Sequence, residues 1–266
     1  MEISVFGMTD VGSRREKNED SYTINTEHNL YVVADGMGGH LGGEIASKLA
    51  VATIEGVLTS VLHDPEMTLQ ADLEIRPGDY SAYLQYAIGV ASSRIFYRAA
   101  NDPSLHGMGT TVVAIMFNGG KAYIGHVGDS RCYVVRGGRI RQLTQDHSLV
   151  GEQLRAGVIS AAEVKNHKLK NIITRSVGFQ DDVDVDIIVR PIKKGDKFVI
   201  CSDGLTNMVS NDVLLEIVNE RGPREACMEL IERANLNGGD DNITAIITEV
   251  ISSEPVEMED EETEGI

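Results

Sequence analysis

At 266 residues and 42% hydrophobic content, the chain can bury a substantial core as one large domain or two small ones. Its formal net charge of −17 argues against non-specific nucleic-acid binding, which needs a basic surface. No basic, apolar leader follows Met1, no apolar run is read as long enough to span a bilayer, and Cys132, Cys201 and Cys227 make neither a zinc pattern nor a disulfide framework, so a cytoplasmic protein with core cysteines is expected.

In chain order, β-rich runs predict strands at Glu2–Thr9, Asp20–Asn25 and Leu30–Ala34. A helix follows in GGEIASKLAVATIEGVLTSVL, where Ile45, Leu49, Ile54, Val57, Leu58 and Val61 recur at helical spacing. AYLQYAIGVASSRIFYRAA repeats the pattern with Leu84, Ile88, Ala91, Ile95 and Phe96, and the stretch between the two helices is a loop. Strands are predicted at Thr110–Phe117, Lys121–His126, Arg131–Arg136 and Arg139–Leu143, with FNGGK and RGGR as tight hairpin turns that make neighbours antiparallel. Val183–Arg190, Lys197–Cys201 and Asn242–Val250 complete the strands, with helices at Asp212–Glu220 and Pro223–Ala234. No linker or repeat divides the chain, so one domain of face-to-face antiparallel sheets with outer helices is expected. The acidic end, 251–266, is expected to be disordered, as a solubilising end or a docking segment.

The stretch YVVADGMGGHLGGE invites a nucleotide-loop reading, but Leu41 stands where a dinucleotide fingerprint needs its third glycine. Gly120–Lys121 is followed by Ala122, so no phosphate-binding P-loop exists either. What remains is Asp35, an acid ending an apolar strand, followed by a backbone free to approach something closely. Asp129, Asp203, Asp240 and Asp241 also sit in polar turns beside apolar runs, and Arg15, Glu19 and Asp20 lie near the N-terminus. Singly, such acids are turn formers. If they converged, they would need cations, and oxygen-only ligands suit Mg²⁺ or Mn²⁺ better than Zn²⁺.

RREKNED, VADGMGG, MGTTVV, HVGDSR, CSDGL and GGDDNIT occur in this order, and with them the chain resembles the metal-dependent, type 2C serine/threonine protein phosphatases over 1–250. It is most like the short bacterial members made of the catalytic core alone. The resemblance implies an α+β fold: a four-layer α/β/β/α sandwich, two antiparallel sheets flanked by helices, with a dinuclear metal centre at one end. It also implies that the strand ends converge, with Mn²⁺ or Mg²⁺ as cofactor, two ions in the core site and a third, weaker one. By the same resemblance Asp35 bridges the two ions, Gly36 offers its carbonyl to the second, and Asp203 and Asp241 hold the first. Glu19 and Asp20 hold the second ion or its waters, Asp129 joins Asp203 at the third, and Arg15 binds phosphate. The implied reaction is in-line attack on phosphorus by a hydroxide bridging the ions, with no covalent enzyme intermediate.

One position departs from the pattern. Animal members carry a histidine directly after the Asp-Gly pair, assigned to protonate the leaving oxygen, and here that position is Met37. His40 or a metal-bound water would take that role, while His126 and His147 organise loops. In this family the interval 148–178 is a mobile flap; here it holds Lys165, Lys168, Lys170 and Arg175, as a solvated surface or a phosphopeptide contact. The implied partners are phosphorylated protein substrates and a serine/threonine kinase, for a monomer with no nucleic acid or membrane. A non-catalytic binding module of the same fold would be expected to lack metal-binding acids, and all are present.

Overall fold

In β3 (Leu30–Met37) successive side chains enter two different cores. Leu30, Val32 and Ala34 pack with helices α1 (Gly42–His63) and α2 (Tyr80–Asn101), while Tyr31 and Val33 pack between two sheets. A strand apolar on both faces needs a layer on each side, and the computed structural model supplies them. It describes residues 1–38, 41–64, 75–160, 163 and 167–253.

One sheet has the order β2 (Asp20–Asn25), β3, β5 (Val112–Asn118), β6 (Lys121–Val127) and β9 (Asp186–Pro191). The other has β1 (Glu2–Asp10), β11 (Ile243–Ser252), β10 (Lys197–Cys201), β7 (Arg131–Arg136) and β8 (Arg139–Gln142). Neighbours are antiparallel throughout, and the short β4 (Gly109–Thr110) pairs with the end of β3. Helix α3 (Leu149–Arg155) lies between β8 and β9. Helices α4 (Asp203–Thr206), α5 (Asn211–Glu220) and α6 (Pro223–Leu236) follow β10, and Leu205, Leu214, Ile217 and Leu230 cover the second sheet at Tyr133, Val199 and Ala245. The expected sandwich with outer helices is therefore present.

Register decides where the functional acids go. Asp20 pairs with Asp35, Val112 with Val127, Cys201 with both Ala245 and Arg131, and Asp10 with Ile243. The starts of β2, β5, β7 and β11 and the ends of β1, β3, β6 and β10 thus share one rim.

Four expectations need correction. Strand β9 begins at Asp186, not Val183, because the preceding chain runs along α2: Ser92 Oγ donates to the Gln180 carbonyl at 2.9 Å and Tyr97 to Asp181 at 2.9 Å. Helix α3 was not expected; Ser148 caps it, accepting from the Gly151 N–H at 3.2 Å. Residues Ile251 and Ser252 belong to β11, where Ser252 pairs with Glu2, so the acidic end starts later than drawn. Finally, α1 is by length and composition apolar enough to cross a membrane, against the reading that no run reaches that length, and it lies against β2, β3 and α2 as a core helix. The rest of the acidic end and part of the loop before α2 lie outside the described residues.

The inter-sheet core is tested at Phe198, which is buried and meets Phe117 with ring centroids 5.2 Å apart. Phe198→Ala is expected to cost about 3–5 kcal/mol in equilibrium urea unfolding. A loss below about 1 kcal/mol would show that the sheets do not pack through this pair.

Candidate functional site

Two acids reach the gap between the sheets by strand alternation. Tyr31 and Val33 face the gap, so Asp35, two residues further on, does too. Tyr22 and Ile24 pack on the same core, which puts Asp20 on that face opposite Asp35. Asp20 is 6% exposed. Its Oδ2 accepts from Ser202 Oγ at 2.8 Å and Thr244 Oγ1 at 2.6 Å, both from the other sheet's strand ends, while its Oδ1 has no partner among the described residues. Asp203 is the first residue of α4, directly beyond β10, and accepts from Asn207 Nδ2 at 3.0 Å. Asp241 precedes β11, and Asp129 is buried in the turn after β6. The structure therefore brings Asp20, Asp35, Asp129, Asp203 and Asp241 to one rim.

Arg15 and Glu19 come from the loop joining β1 to β2. Asn242, four per cent exposed, pins this loop: its Oδ1 accepts from the Glu19 N–H at 2.8 Å, and its Nδ2 donates to the carbonyls of Val11 and Lys17 at 2.9 and 2.8 Å. Gly12, with φ +78°, lies so close that a Cβ would stand 2.1 Å from the Asp241 carbonyl oxygen. Arg15 Nη2 donates to Asp241 Oδ2 at 2.7 Å, with half of its side chain still exposed. Gly36 lies against the start of α1, where a Cβ would meet the Gly43 carbonyl oxygen at 2.1 Å. The Glu19 carbonyl accepts from both the Gly36 N–H and Ser47 Oγ, which fixes this approach. His40 lies outside the described residues.

Burial raises these carboxyls, and their neighbours raise them further. Asp35 stands well above the usual range through burial and the charges of Asp20, Asp203, Asp129 and Asp241. Burial pushes Asp20 up to about 7 against hydrogen bonds from Thr244 and Ser202, and pushes Asp129 up to about 8 with help from Asp203. Asp203 is raised by burial and by Asp241, and Glu19 by burial with Asp241 and Glu44 added. Such a set is short of positive charge. The unpartnered Asp20 Oδ1 and an all-oxygen donor set fit hard divalent cations. Asp20, Asp35, Asp129, Asp203, Asp241 and the Glu19 side chain are the residues that could hold them.

Further groups position this rim: Thr111 and Ser130 have no signal in the sequence, while His147 organises its loop as expected. Asp35 N–H donates to Thr111 Oγ1 at 3.0 Å, and Thr111 Oγ1 lies 2.7 Å from Ser130 Oγ, tying the Asp35 strand to the Asp129 turn. His147 grips that turn: its Nδ1 accepts the Gly128 N–H at 3.0 Å and its own N–H donates to the Gly128 carbonyl at 2.8 Å. Its Nε2 lies 3.1 Å from Asp186, which also accepts from Arg175 at 2.7 Å. Burial pulls the Asp186 carboxyl up, but the hydrogen bonds with Arg175 and His147 outweigh it and hold it below its usual range. Arg175 is thus tied into the fold while a third of its side chain stays exposed. Lys165 lies outside the described residues. A groove of about 1420 Å³ between α1 and α2 contains none of the candidate acids. A smaller hollow of about 330 Å³, lined by Arg15, Glu16, Lys17, Glu19 and Asn242, adjoins them.

The protein phosphatase 2C family profile matches residues 12–233. The serine/threonine phosphatase stp of Listeria innocua is 38% identical over 245 residues, covering 91% of this chain and 93% of that one. Protein phosphatase PhpP of Streptococcus pneumoniae is 37% identical over 251 residues, 93% and 96% of the two chains. Among solved structures, the PstP catalytic domain in complex with two manganese ions superposes with a TM-score of 0.81 at 32% identity, covering 94% of this chain and 99% of that one. Mycobacterium tuberculosis PstP superposes with a TM-score of 0.82 at 33% identity over 93% and 98%.

Metal-free protein should lose stability as pH rises from about 6.5 to 8. The folded carboxyls of Asp20 and Asp129 still hold protons there that the unfolded chain has released, so unfolding releases protons and stability falls with pH. Buried His126 and His147, lowered in the folded state, act with the opposite sign, but below that window. Melting temperatures in EDTA should fall across the window, and Mn²⁺ should flatten the fall. A flat or rising profile in EDTA would contradict the electrostatic reading.

Proposed function

The chain belongs to the protein phosphatase 2C family, and we propose on that premise that it is a metal-dependent phosphatase removing phosphate from phosphoserine and phosphothreonine of proteins. The observation that carries the reading is the rim of raised, converging carboxyls, which divalent cations would neutralise. The relatives named serine/threonine phosphatases and the two manganese ions of PstP support Mn²⁺ or Mg²⁺ as cofactor.

In this reading Asp35 would be shared by two cations, Asp203 and Asp241 would hold one, and Glu19, Asp20 and the Gly36 carbonyl would hold the other or its waters. Asp129 with Asp203 would serve a third. When bound, the cations supply an acidified water as nucleophile and draw charge from the phosphoryl oxygens. Arg15 is the phosphate ligand: a planar guanidinium has five donors, and its bond to Asp241 uses a single one of its terminal nitrogens. That same bond holds the guanidinium at the edge of the cation site before substrate arrives.

Cysteine chemistry has no place here. Cys132, Cys201 and Cys227 are buried, and burial pushes the thiols of Cys201 and Cys227 up to about 12. Protonation of the departing alkoxide needs another donor. Met37 has no acidic proton, and His126 and His147 are buried in the packing behind the Asp129 turn. His40 is the remaining histidine of the loop after Asp35, with a water on the cations as its competitor. We read residues 148–178 as the flap of a catalytic domain that acts as a cytoplasmic monomer opposite a serine/threonine kinase. Nucleic acid and membrane have no part in this reading.

Asp35→Asn and Asp203→Asn should each reduce Mn²⁺-dependent phosphopeptide hydrolysis by more than about 100-fold, the upper range for losing an outer-shell partner of a metal ligand. Arg15→Ala should instead raise KM for phosphopeptide and weaken inhibition by inorganic phosphate, leaving the Mn²⁺ requirement in place. Near-normal turnover by either aspartate variant would remove these residues from the cation site.

A further inference from the structure

Among the described residues, two trios away from the acidic rim each bring three metal-ligating side chains within 4.8 Å of one another. They are His126, His147 and Asp186, and Glu27, His28 and His63. The first is a hydrogen-bond relay. His147 Nδ1 accepts the Gly128 N–H, so the neutral ring carries its proton on Nε2, facing Asp186. A cation on Nε2 would demand an imidazolate and would break the bond to Asp186.

The second trio has no such obstacle. His28 Nε2 is shielded from solvent and has no hydrogen-bond partner among the described residues. His63 Nε2 lies 3.9 Å from Glu27 Oε1, and the two imidazoles meet edge to face at 5.6 Å. His28 is held by a tight turn between β2 and β3. Its N–H donates to Asn25 Oδ1 at 3.0 Å, Asn25 Nδ2 donates to Glu55 on α1 at 3.1 Å, and Asn29 takes a left-handed φ of 47°. His63 stands in the last turn of α1, where the helix carbonyls favour positive charge.

We propose that Glu27, His28 and His63 form a binding site for a transition-metal dication of the Zn²⁺ type, separate from the acidic rim, that clamps the β2–β3 turn to the end of α1. Two imidazoles and a carboxylate suit Zn²⁺ and are poor partners for Mg²⁺. Metal–ligand bonds of about 2.0–2.1 Å require the donors to close to roughly 3.3 Å from one another. Glu27 and His63 can make that move, with side chains 71% and 65% exposed. The two sites lie at opposite ends of β2, whose length of six residues spans roughly 20 Å.

The test is Zn²⁺ uptake by isothermal titration calorimetry on the whole chain in excess Mg²⁺, which occupies oxygen ligands at the rim. Wild type should bind one more Zn²⁺ per chain than His63→Ala or His28→Ala. His106→Ala, an exposed histidine elsewhere, should match wild type. Titration with Co²⁺ should give strong visible bands of a tetrahedral nitrogen and oxygen site in wild type, absent from both variants. Melting temperature without Zn²⁺ and Mn²⁺-dependent phosphatase activity should be unchanged in the variants, which separates this site from the catalytic reading. Equal Zn²⁺ stoichiometry in wild type, His28→Ala and His63→Ala would overturn the proposal, as would Co²⁺ bands that persist in both.

Discussion

Asp20, Asp35, Asp129 and Asp203 face one another at the end of the gap between two sheets, where burial and mutual repulsion hold each carboxyl above its ordinary range. A buried set of this kind is unfavourable when fully ionised without compensating charge. The surrounding structure relieves it in part. Ser202 and Thr244 donate to Asp20 from across the sandwich, and Arg15 pairs with Asp241 from the loop above. The remaining deficit is what a divalent cation offsets, so the instability of the empty rim and the chemistry of the filled one have the same origin.

The sandwich makes this clustering possible. Antiparallel pairing places every second strand end at the same rim, and alternation along β2 and β3 turns Asp20 and Asp35 inward with the apolar residues that precede or follow them. Close backbone approach completes it. Gly36 meets the start of α1 at a distance no side chain would permit, and the hydrogen bonds from Ser47 and Gly36 to the Glu19 carbonyl hold the N-terminal loop in register with it.

Much of this was legible in the sequence. Apolar alternation and glycine turns marked the strands, and helical spacing of Ile45, Leu49, Ile54 and Leu58 marked α1. Asp35, Asp129, Asp203 and Asp241 could be singled out because each lies beside an apolar run. Convergence was not legible from the residues themselves, since it depends on long-range pairing such as Asp20 with Asp35 and Cys201 with Ala245; the family resemblance supplied it. Asn242 was missed for a related reason: its work is done by hydrogen bonds to Val11, Lys17 and Glu19, residues distant in sequence or ordinary in type. His147, expected to organise its loop, does so by gripping Gly128. The shifted start of β9 reflects a contest that local propensity cannot register: Val183 and Val185 are β-formers, but they pack on the helical core before the strand begins.

The account stands on cations occupying the acidic rim. Anomalous diffraction from crystals grown with Mn²⁺, recorded above and below the manganese edge, tests that most directly. It should show two strong manganese peaks at the rim, with Asp35 between them and Asp203 and Asp241 beside one. Manganese peaks elsewhere with none against Asp35 and Asp203 would contradict it.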